Sequence, residues 1–363
     1  MSAKAPVYTR PVARLLFVTG TPADVAGGSG TFVGISVLRR SIEARGHEVA
    51  LVAPEPGRGD SFLGRLLFNV GARRPAASVR PDAVVGFDLD GLLLAAGGVP
   101  SFACLKGVRS DEARFERGVP KLRLALESRF EKYRARTADG VLTSSAYSAG
   151  VIERDYGVGP DRIRVVPEGI ELSRWRAALE PAPGLPRDPP GILCVAHLYP
   201  RKDVATLLEA MARLRNPAVL RVIGAGPELE RLKRLADRLG LGERAEFAGH
   251  VPFARLAAEY RRAAIFCLPS LQEGFGIVFL EAMAAGVPVV AARAGAAPEV
   301  LGGSGALVPP GDPGALASAL DTLLEDPVKR SAMAADGLGR VERFEAGAVA
   351  GEFLEAIGLG AGR

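Results

Sequence analysis

The sequence predicts an α/β protein built of two doubly wound parallel-sheet domains that face each other across a cleft. Three observations predict it. The 363 residues exceed one ordinary α/β core and suit two domains. Apolar runs of strand length alternate with helical patterns along the chain, as β–α–β units do. A proline-rich stretch, PAPGLPRDPPG (181–191), interrupts that alternation near the middle and reads as a linker. The expected division is 1–180, 181–345, and a closing helical segment, 346–363, placed to pack back toward the first domain.

The first half opens with RLLFVTG (14–20), an apolar run bounded by glycine. It reads as a first strand, because Gly, Thr and Pro follow it too soon for the apolar core of a signal peptide. The loop GGSGTF (27–32) leads into a helical pattern over Val33–Arg45, and Gly46 sits where a helix C-terminus favours glycine. HEVALVAP (47–54) is the second strand. Residues 55–80 are less regular and contain SFLGRLLFNVGARR (61–74). Strands at PDAVVGF (81–87) and VPSFACL (99–105) follow, then one long charged helical stretch over 111–136. DGVLTSS (139–145) and RIRVVPEG (162–169) read as the last strands of this half.

The second half is more regular. Strands are expected at GILCVAHL (191–198), AVLRVIGAG (218–226), RAEFAGH (244–250), AIFCLPS (264–270), VPVVAAR (287–293) and GALVPP (305–310). Helical patterns cover Asp203–Leu214, Glu228–Leu239, Phe253–Arg262, Gly276–Ala285 and Pro313–Glu325, with Ala346–Ile357 closing the chain. Each strand is nearly continuous in apolar residues, as expected when helices cover both faces of a sheet. Ligands of such Rossmann-like sheets lie beyond the carboxyl ends of the strands. Two facing sheets therefore put the site in the cleft between domains.

Composition narrows the function classes. Aromatic content of 6% argues against a base-stacking nucleic-acid surface. Residues 1–175 carry 25 Lys/Arg against 19 Asp/Glu, whereas 176–363 carry 21 against 22. The basic first half suits an anionic partner; a plain arginine-rich composition is the other reading. Cys104, Cys194 and Cys267 are widely spaced in apolar runs, which speaks against disulfides or a zinc site and for a reducing cytoplasm. No stretch reaches the 18 or so apolar residues of a spanning helix.

The strongest motif is EGFGIVFLEAMAAGVPVVA (273–291). Gly274 and Gly276 flank Phe275 where a helix begins, and glycines there let backbone approach a ligand closely. The helix N-terminus offers unpaired amides and a positive dipole end, a seat for a diphosphate. Glu281, further along the helix, has the chemistry to accept from both hydroxyls of a ribose. Glu273, ahead of the loop, can reach sugar hydroxyls on the other side of the phosphates.

At these residues the chain resembles the retaining glycosyltransferases of family four (group 1), which share the two-domain GT-B fold. The resemblance covers nearly the whole chain. It implies that Glu273 contacts the donor sugar, that Glu281 holds the nucleotide ribose, and that backbone amides around Phe275, Gly276, Ile277 and Val278 bind phosphate. VAHLYPRKD (195–203) is similar to a segment in which the family places a donor-phosphate lysine, here Lys202. The arginine usual in that segment is replaced by His197, and Arg201 is placed to supply the missing guanidinium. VIGAGPELERLKRLADRLGL (222–241) puts Gly224 and Gly226 in the turn beneath the nucleotide. APEVL (297–301) places Glu299 near the donor, and GSGALVPPGDP (303–313) resembles a structural strand and turn.

In the first half, Gly28 of the GGSGTF loop falls where the family's backbone approaches the donor phosphate. FACLKGVRSDE (102–112) departs from the family, which commonly has a histidine where Lys106 stands. A protonated lysine is a poor general base. In the front-face mechanism proposed for the family, the departing phosphate oxygen takes the acceptor proton, so Lys106 would orient rather than deprotonate. Arg109, Asp111 and Glu112 are further candidates on the acceptor side. In VVPEGIELSRW (165–175), Glu168 and Glu171 replace the family's Asn and Asp, and either read acceptor hydroxyls or cap the hinge. Asp88-Leu89-Asp90 has D-x-D spacing but lacks donor context, so no catalytic metal or other cofactor is expected.

The implied function is metal-independent transfer of a sugar from a nucleoside diphosphate to a glycan, lipid-linked or small-molecule acceptor, with retention. Two readings stay open beside it: another GT-B enzyme, such as a glucan synthase or sugar epimerase, and a degenerate protein that binds nucleotide sugar without turnover. SFLGRLLFNVGARR and the basic stretch Arg114–Arg136 suit a peripheral contact with an anionic membrane at the inner face of the plasma membrane. Packing helices with solvated arginines are the alternative. No nucleic-acid partner is expected.

Overall fold

The computed structural model describes residues 12–21, 30–54, 62–72, 78–94, 98–180 and 190–360. In the first half, β1 (Arg14–Val18), α1 (Gly30–Glu43), β2 (Glu48–Val52), α2 (Phe62–Gly71), β3 (Ala83–Phe87) and β4 (Ser101–Leu105) come first. Then follow α3 (Arg109–Glu112), α4 (Gly118–Thr137), β5 (Gly140–Thr143), α5 (Ala146–Val151), β6 (Ile163–Val165) and α6 (Leu172–Leu179). The second half runs β7 (Gly191–Val195), α7 (Val204–Met211), β8 (Val219–Ile223), α8 (Leu229–Arg238), β9 (Ala245–Gly249), α9 (Phe253–Arg262) and β10 (Ile265–Leu268). It ends with α10 (Ile277–Ala284), β11 (Val289–Ala292), α11 (Ala297–Leu301), β12 (Gly305–Val308), α12 (Pro313–Glu325), α13 (Pro327–Val341) and α14 (Ala346–Ala356).

Both sheets have six parallel strands, in the orders β2-β1-β3-β4-β5-β6 and β12-β11-β10-β7-β8-β9. Strand order reverses direction at β1/β3 in the first sheet and at β7/β10 in the second. Those are the topological switch points, where loops part and leave a crevice for ligand. The central strands are buried on both faces; β3, β10 and β11 are buried throughout.

Several elements depart from the sequence reading. The charged stretch at 111–136 is not one helix. Gly118, at φ +59, starts α4, and α3 with a following 3-10 turn forms a separate corner ahead of it. Helices α5, α6, α11 and α13 were not anticipated. For α13 the start signal was present: the Asp326 carboxylate caps the Lys329 amide and Pro327 occupies the first turn.

The chain also crosses between domains earlier than residue 180. Ile170, Leu172 and Trp175 belong to the second core, where the Trp175 ring meets Phe253 at 5.1 Å and Tyr260 at 5.6 Å. A tryptophan needs a large apolar seat, and α9 supplies it. At the other end, α14 buries Val349, Ala350, Phe353 and Leu354 in the first core, with Phe353 against Phe17 at 6.0 Å. The two crossing strands of chain are tied together by Ile170 N to Phe344 O and Ala346 N to Ile170 O.

Candidate functional site

The loops after β7 and β10, at the second sheet's switch point, hold the motif residues. They face the loops after β1, β3 and β4 of the first sheet across a cleft of about 1220 Å³. Lys106, Arg109, His197, Arg201, Lys202, Glu273, Gly274, Phe275, Gly276, Ile277 and Val278 all line it.

On the second-domain wall, Lys202 ends a 3-10 turn (Pro200–Lys202), and its Nζ donates to Glu273 Oε2 at 2.6 Å. Ser270 Oγ also donates to that carboxylate, at 3.3 Å. The two loops are fastened by Leu271 N to Arg201 O at 2.8 Å, and Ala296 N holds the Glu273 carbonyl at 2.9 Å. The amides of Ile277 and Val278 open α10 and are the unpaired donors that any helix start presents. One wall thus brings a cation, a carboxylate and a helix N-terminus together, the set that suits an anionic, hydroxyl-rich ligand.

The opposite wall is an ion network. Lys106 Nζ donates to Glu168 Oε1 at 2.6 Å, both side chains about nine-tenths buried. Burial works to lower the Lys106 pKa, but Glu168 and Asp88 outweigh it and hold the group above its ordinary value. Lys106 is therefore held as an ammonium, paired with Glu168. Arg109 is boxed in by Glu112 at 2.8 Å, Asp88 at 3.3 Å and Glu127 at 3.6 Å. Glu112 is held below its usual range despite burial, because Arg201 and Arg109 both face it. Asp88, at φ +56, also accepts from the Lys106 amide, a strained conformation of the kind found beside functional sites. Arg65 occupies the D-x-D carboxylates, at 2.7 Å from Asp90 and 3.4 Å from Asp88.

Among the described residues, hydrogen bonds at three places join the walls. Arg201 Nη2 donates to Glu112 Oε1 at 3.1 Å, while its guanidinium lies 4.8 Å from the Tyr199 ring. The Gly274 carbonyl accepts from Ser145 Oγ at 2.7 Å, Ser148 Oγ at 3.3 Å and Ser144 Oγ at 3.5 Å. The Glu299 carboxylate accepts from the Ala146 amide at 2.9 Å, at the positive end of α5. The serines gave no sequence signal. Glu299 was expected near the donor, and the structure puts it on the facing domain's helix.

Other expectations are corrected. Gly274 is a glycine because the facing domain comes close: a Cβ would lie 3.1 Å from the Lys106 carbonyl. Gly276, at φ +91, leaves room for the Phe279 ring, 2.5 Å from where its Cβ would be. Gly224 and Gly226 do not line the cleft. They pack under the β7 loop, where a Gly224 side chain would overlap the Ala196 carbonyl. Phe275 turns its ring into the core, 5.7 Å from Phe344, leaving backbone toward the cleft. Glu281 lies behind the lining residues and accepts from Tyr260 Oη at 2.8 Å. Burial pushes its pKa up to about 7, with the Tyr260 hydroxyl working the other way. Tyr260 had no sequence signal. Arg109 lines the cleft with its guanidinium among the carboxylates of Glu112, Asp88 and Glu127. Glu171 pairs with Arg40 at 2.7 Å rather than capping the hinge. Gly28 lies outside the described residues.

Residues 28–174 match a family model described as Glycosyltransferase Family 4, and 176–338 match one described as Glycosyl transferases group 1. The chain is 36% identical over 218 residues to a GDP-mannose-dependent alpha-(1-6)-phosphatidylinositol monomannoside mannosyltransferase of Mycolicibacterium smegmatis, covering 55% of this chain and 56% of that protein. It is also 36% identical over 226 residues to D-inositol 3-phosphate glycosyltransferase 2 of Catenulispora acidiphila, covering 57% and 53%. The chain spans about half the length of the curated relatives it matches. In fold it is similar to a sucrose-phosphate synthase from Thermosynechococcus elongatus, with TM-score 0.80 and 23% identity over 94% of this chain and 98% of that one. Anabaena HepE in complex with UDP gives TM-score 0.70 and 20% identity, over 95% and 99%.

Proposed function

This chain belongs to the family 4, group 1 glycosyltransferases and has their GT-B fold, and from that premise we propose that it transfers a sugar, with retention, from a nucleoside diphosphate to an acceptor hydroxyl. The observation that carries the reading is the pairing of Lys202 with Glu273 beside the start of α10, at the switch point of the second sheet. Its relatives' names speak for a nucleotide-sugar donor; an acceptor that is lipid-linked, glycan or small-molecule, and a peripheral contact with an anionic membrane, are parts of the same proposal. Among the described residues no helix is long and apolar enough to cross a membrane.

In this mechanism the diphosphate lies against the Ile277 and Val278 amides, and Lys202 moves from Glu273 to the phosphate. Glu273 is then free to accept from sugar hydroxyls. The acceptor hydroxyl attacks the anomeric carbon on the face that the diphosphate leaves. The anomeric carbon–oxygen bond breaks, and the departing phosphate oxygen takes the hydroxyl proton. Negative charge gathers on that phosphate as the bond breaks, where Lys202 and Arg201 neutralise it. Lys106 and Glu168 orient the acceptor. The chemistry as proposed draws its cations from side chains and needs no resident cofactor.

A thermal-shift screen against UDP-, GDP- and ADP-sugars tests this, because a ligand that binds only the native state raises its melting temperature. Stabilisation by one nucleotide class, lost in Lys202→Met, supports the reading and names the base. The absence of a shift with every donor would overturn the donor site on which the reading rests.

A further inference from the structure

Arg201 and Lys202 leave the same 3-10 turn (Pro200–Lys202), and each reaches a carboxylate. The two pairs differ in reach. Lys202 meets Glu273 within its own domain, at 2.6 Å. Arg201 crosses the cleft to Glu112 on α3 of the first domain, at 3.1 Å, with side chains 14% and 10% exposed. Glu112 is divided between two guanidiniums: its Oε1 accepts from Arg201 and its Oε2 from Arg109, at 2.8 Å. Gly107 leaves the space for this arrangement. A Cβ there would lie 2.9 Å from Glu112 Oε1, the oxygen that holds Arg201. Burial works to raise the Glu112 pKa, but Arg201, Arg109 and Lys202 together hold it below its ordinary value, so the group is a carboxylate.

We propose that Glu112 is a built-in competitor for the donor's diphosphate: carboxylate and phosphate take Arg201 in turn, and Glu112 thereby sets how tightly the nucleotide binds. The inference rests on the donor reading above and names the residue that tunes it. A guanidinium fork recognises carboxylate and phosphate by the same planar geometry, so one can replace the other. If Glu112 kept Arg201 while phosphate arrived, two anions would face each other in a site largely shielded from water. The exchange leaves no charge alone, because Glu112 retains Arg109 when Arg201 turns away. Breaking a buried pair is costly chiefly when one partner is left uncompensated. Arg201 also has the Tyr199 ring of its own domain beside its guanidinium, at 4.8 Å, so it need not leave the wall to change partners. Run in reverse, the exchange returns Arg201 to Glu112 and assists release of the nucleoside diphosphate after transfer.

Isothermal titration of the full chain with UDP, GDP and ADP tests this. Glu112→Gln keeps the shape of the side chain and removes its charge, and is expected to bind the diphosphate about fivefold more tightly than the parent. Gly107→Ala removes no charge, and its added Cβ meets Glu112 alone. It is expected to tighten binding about twofold by dislodging Oε1 from Arg201. Arg201→Met is expected to weaken binding about tenfold. On that background Glu112→Gln should add nothing, because its effect runs through Arg201. A Glu112→Gln variant that binds no more tightly than the parent would overturn the proposal. Where circular dichroism shows that variant to be unfolded, Gly107→Ala decides in the same way. An equal gain with and without Arg201 would also overturn it, as the mark of a general charge effect. Both of these results leave the donor site standing. A parent that binds none of the three diphosphates would overturn the transfer reading and this inference with it.

Discussion

Lys202→Met should expose how the unliganded site stores its charge. Lys202 and Glu273 lie 2.6 Å apart with side chains 13% and 11% exposed. Among the described residues, removing the ammonium leaves Glu273 with the Ser270 hydroxyl, at 3.3 Å, as its one side-chain donor. Breaking a fully buried pair costs about 3–5 kcal/mol, and the residual solvent contact here trims that to about 2–3 kcal/mol. For a domain of this size the loss corresponds to a fall of roughly 5–10 °C in Tm. Urea denaturation followed by tryptophan fluorescence suits the measurement, because Trp175, the one tryptophan, packs in the second core. Lys202→Met/Glu273→Gln removes both charges and should regain about 1–2 kcal/mol of the loss while failing, like the single variant, to respond to donor. A single variant as stable as the parent, or a double variant no more stable than the single, would refute the electrostatic account of this wall.

Two further outcomes follow from the same loop and helix. Glu281 has a folded pKa of about 7 against an ordinary 4.5, so the native state holds a proton that the unfolded chain releases between those values. Stability should therefore fall as pH rises through that window, by about 3 kcal/mol at most. Glu281→Gln, which cannot ionise, should gain on the parent at pH 8 and match it at pH 4; an equal difference at both would count against the buried carboxylate. Gly276→Ala forces a side chain into φ +91 and against Phe279, whose ring is fully buried, and should cost about 2–3 kcal/mol along with donor affinity. Gly303→Ala, at φ +95 with open space around it, should lose about 1 kcal/mol and keep donor binding. If the two variants bind donor alike, the crowding at Gly276 does not shape the site.

Much of the frame was legible because parallel strands covered on both faces are written as apolar runs that need no partner to be recognised. Each of the twelve strands among the described residues falls on such a run, and α12 matches its pattern from Pro313 to Glu325. The motif at 273–291 was legible for a similar reason: glycines, a helix start and two carboxylates lie within nine residues of chain. Helices α2 and α4 were harder, because their buried faces are polar and hydrophobic periodicity then points to the wrong side.

By itself the sequence determined the two-sheet α/β class, the motif that marks the family, and the elements whose signals are local, since periodicity, caps and turns act over a few residues. Only the tertiary structure decided which charges meet. Lys106 finds Glu168 62 residues away, Lys202 finds Glu273 at 71, and Arg201 crosses to Glu112 at 89. It also decided that α6 joins the second core, that Glu281 sits behind the cleft on Tyr260, and that Gly274 gives way to the opposite domain. The physical reason is common to all of these. Coulombic pairing and close packing depend on distance in space, and that distance is set by where the two sheets place their loops.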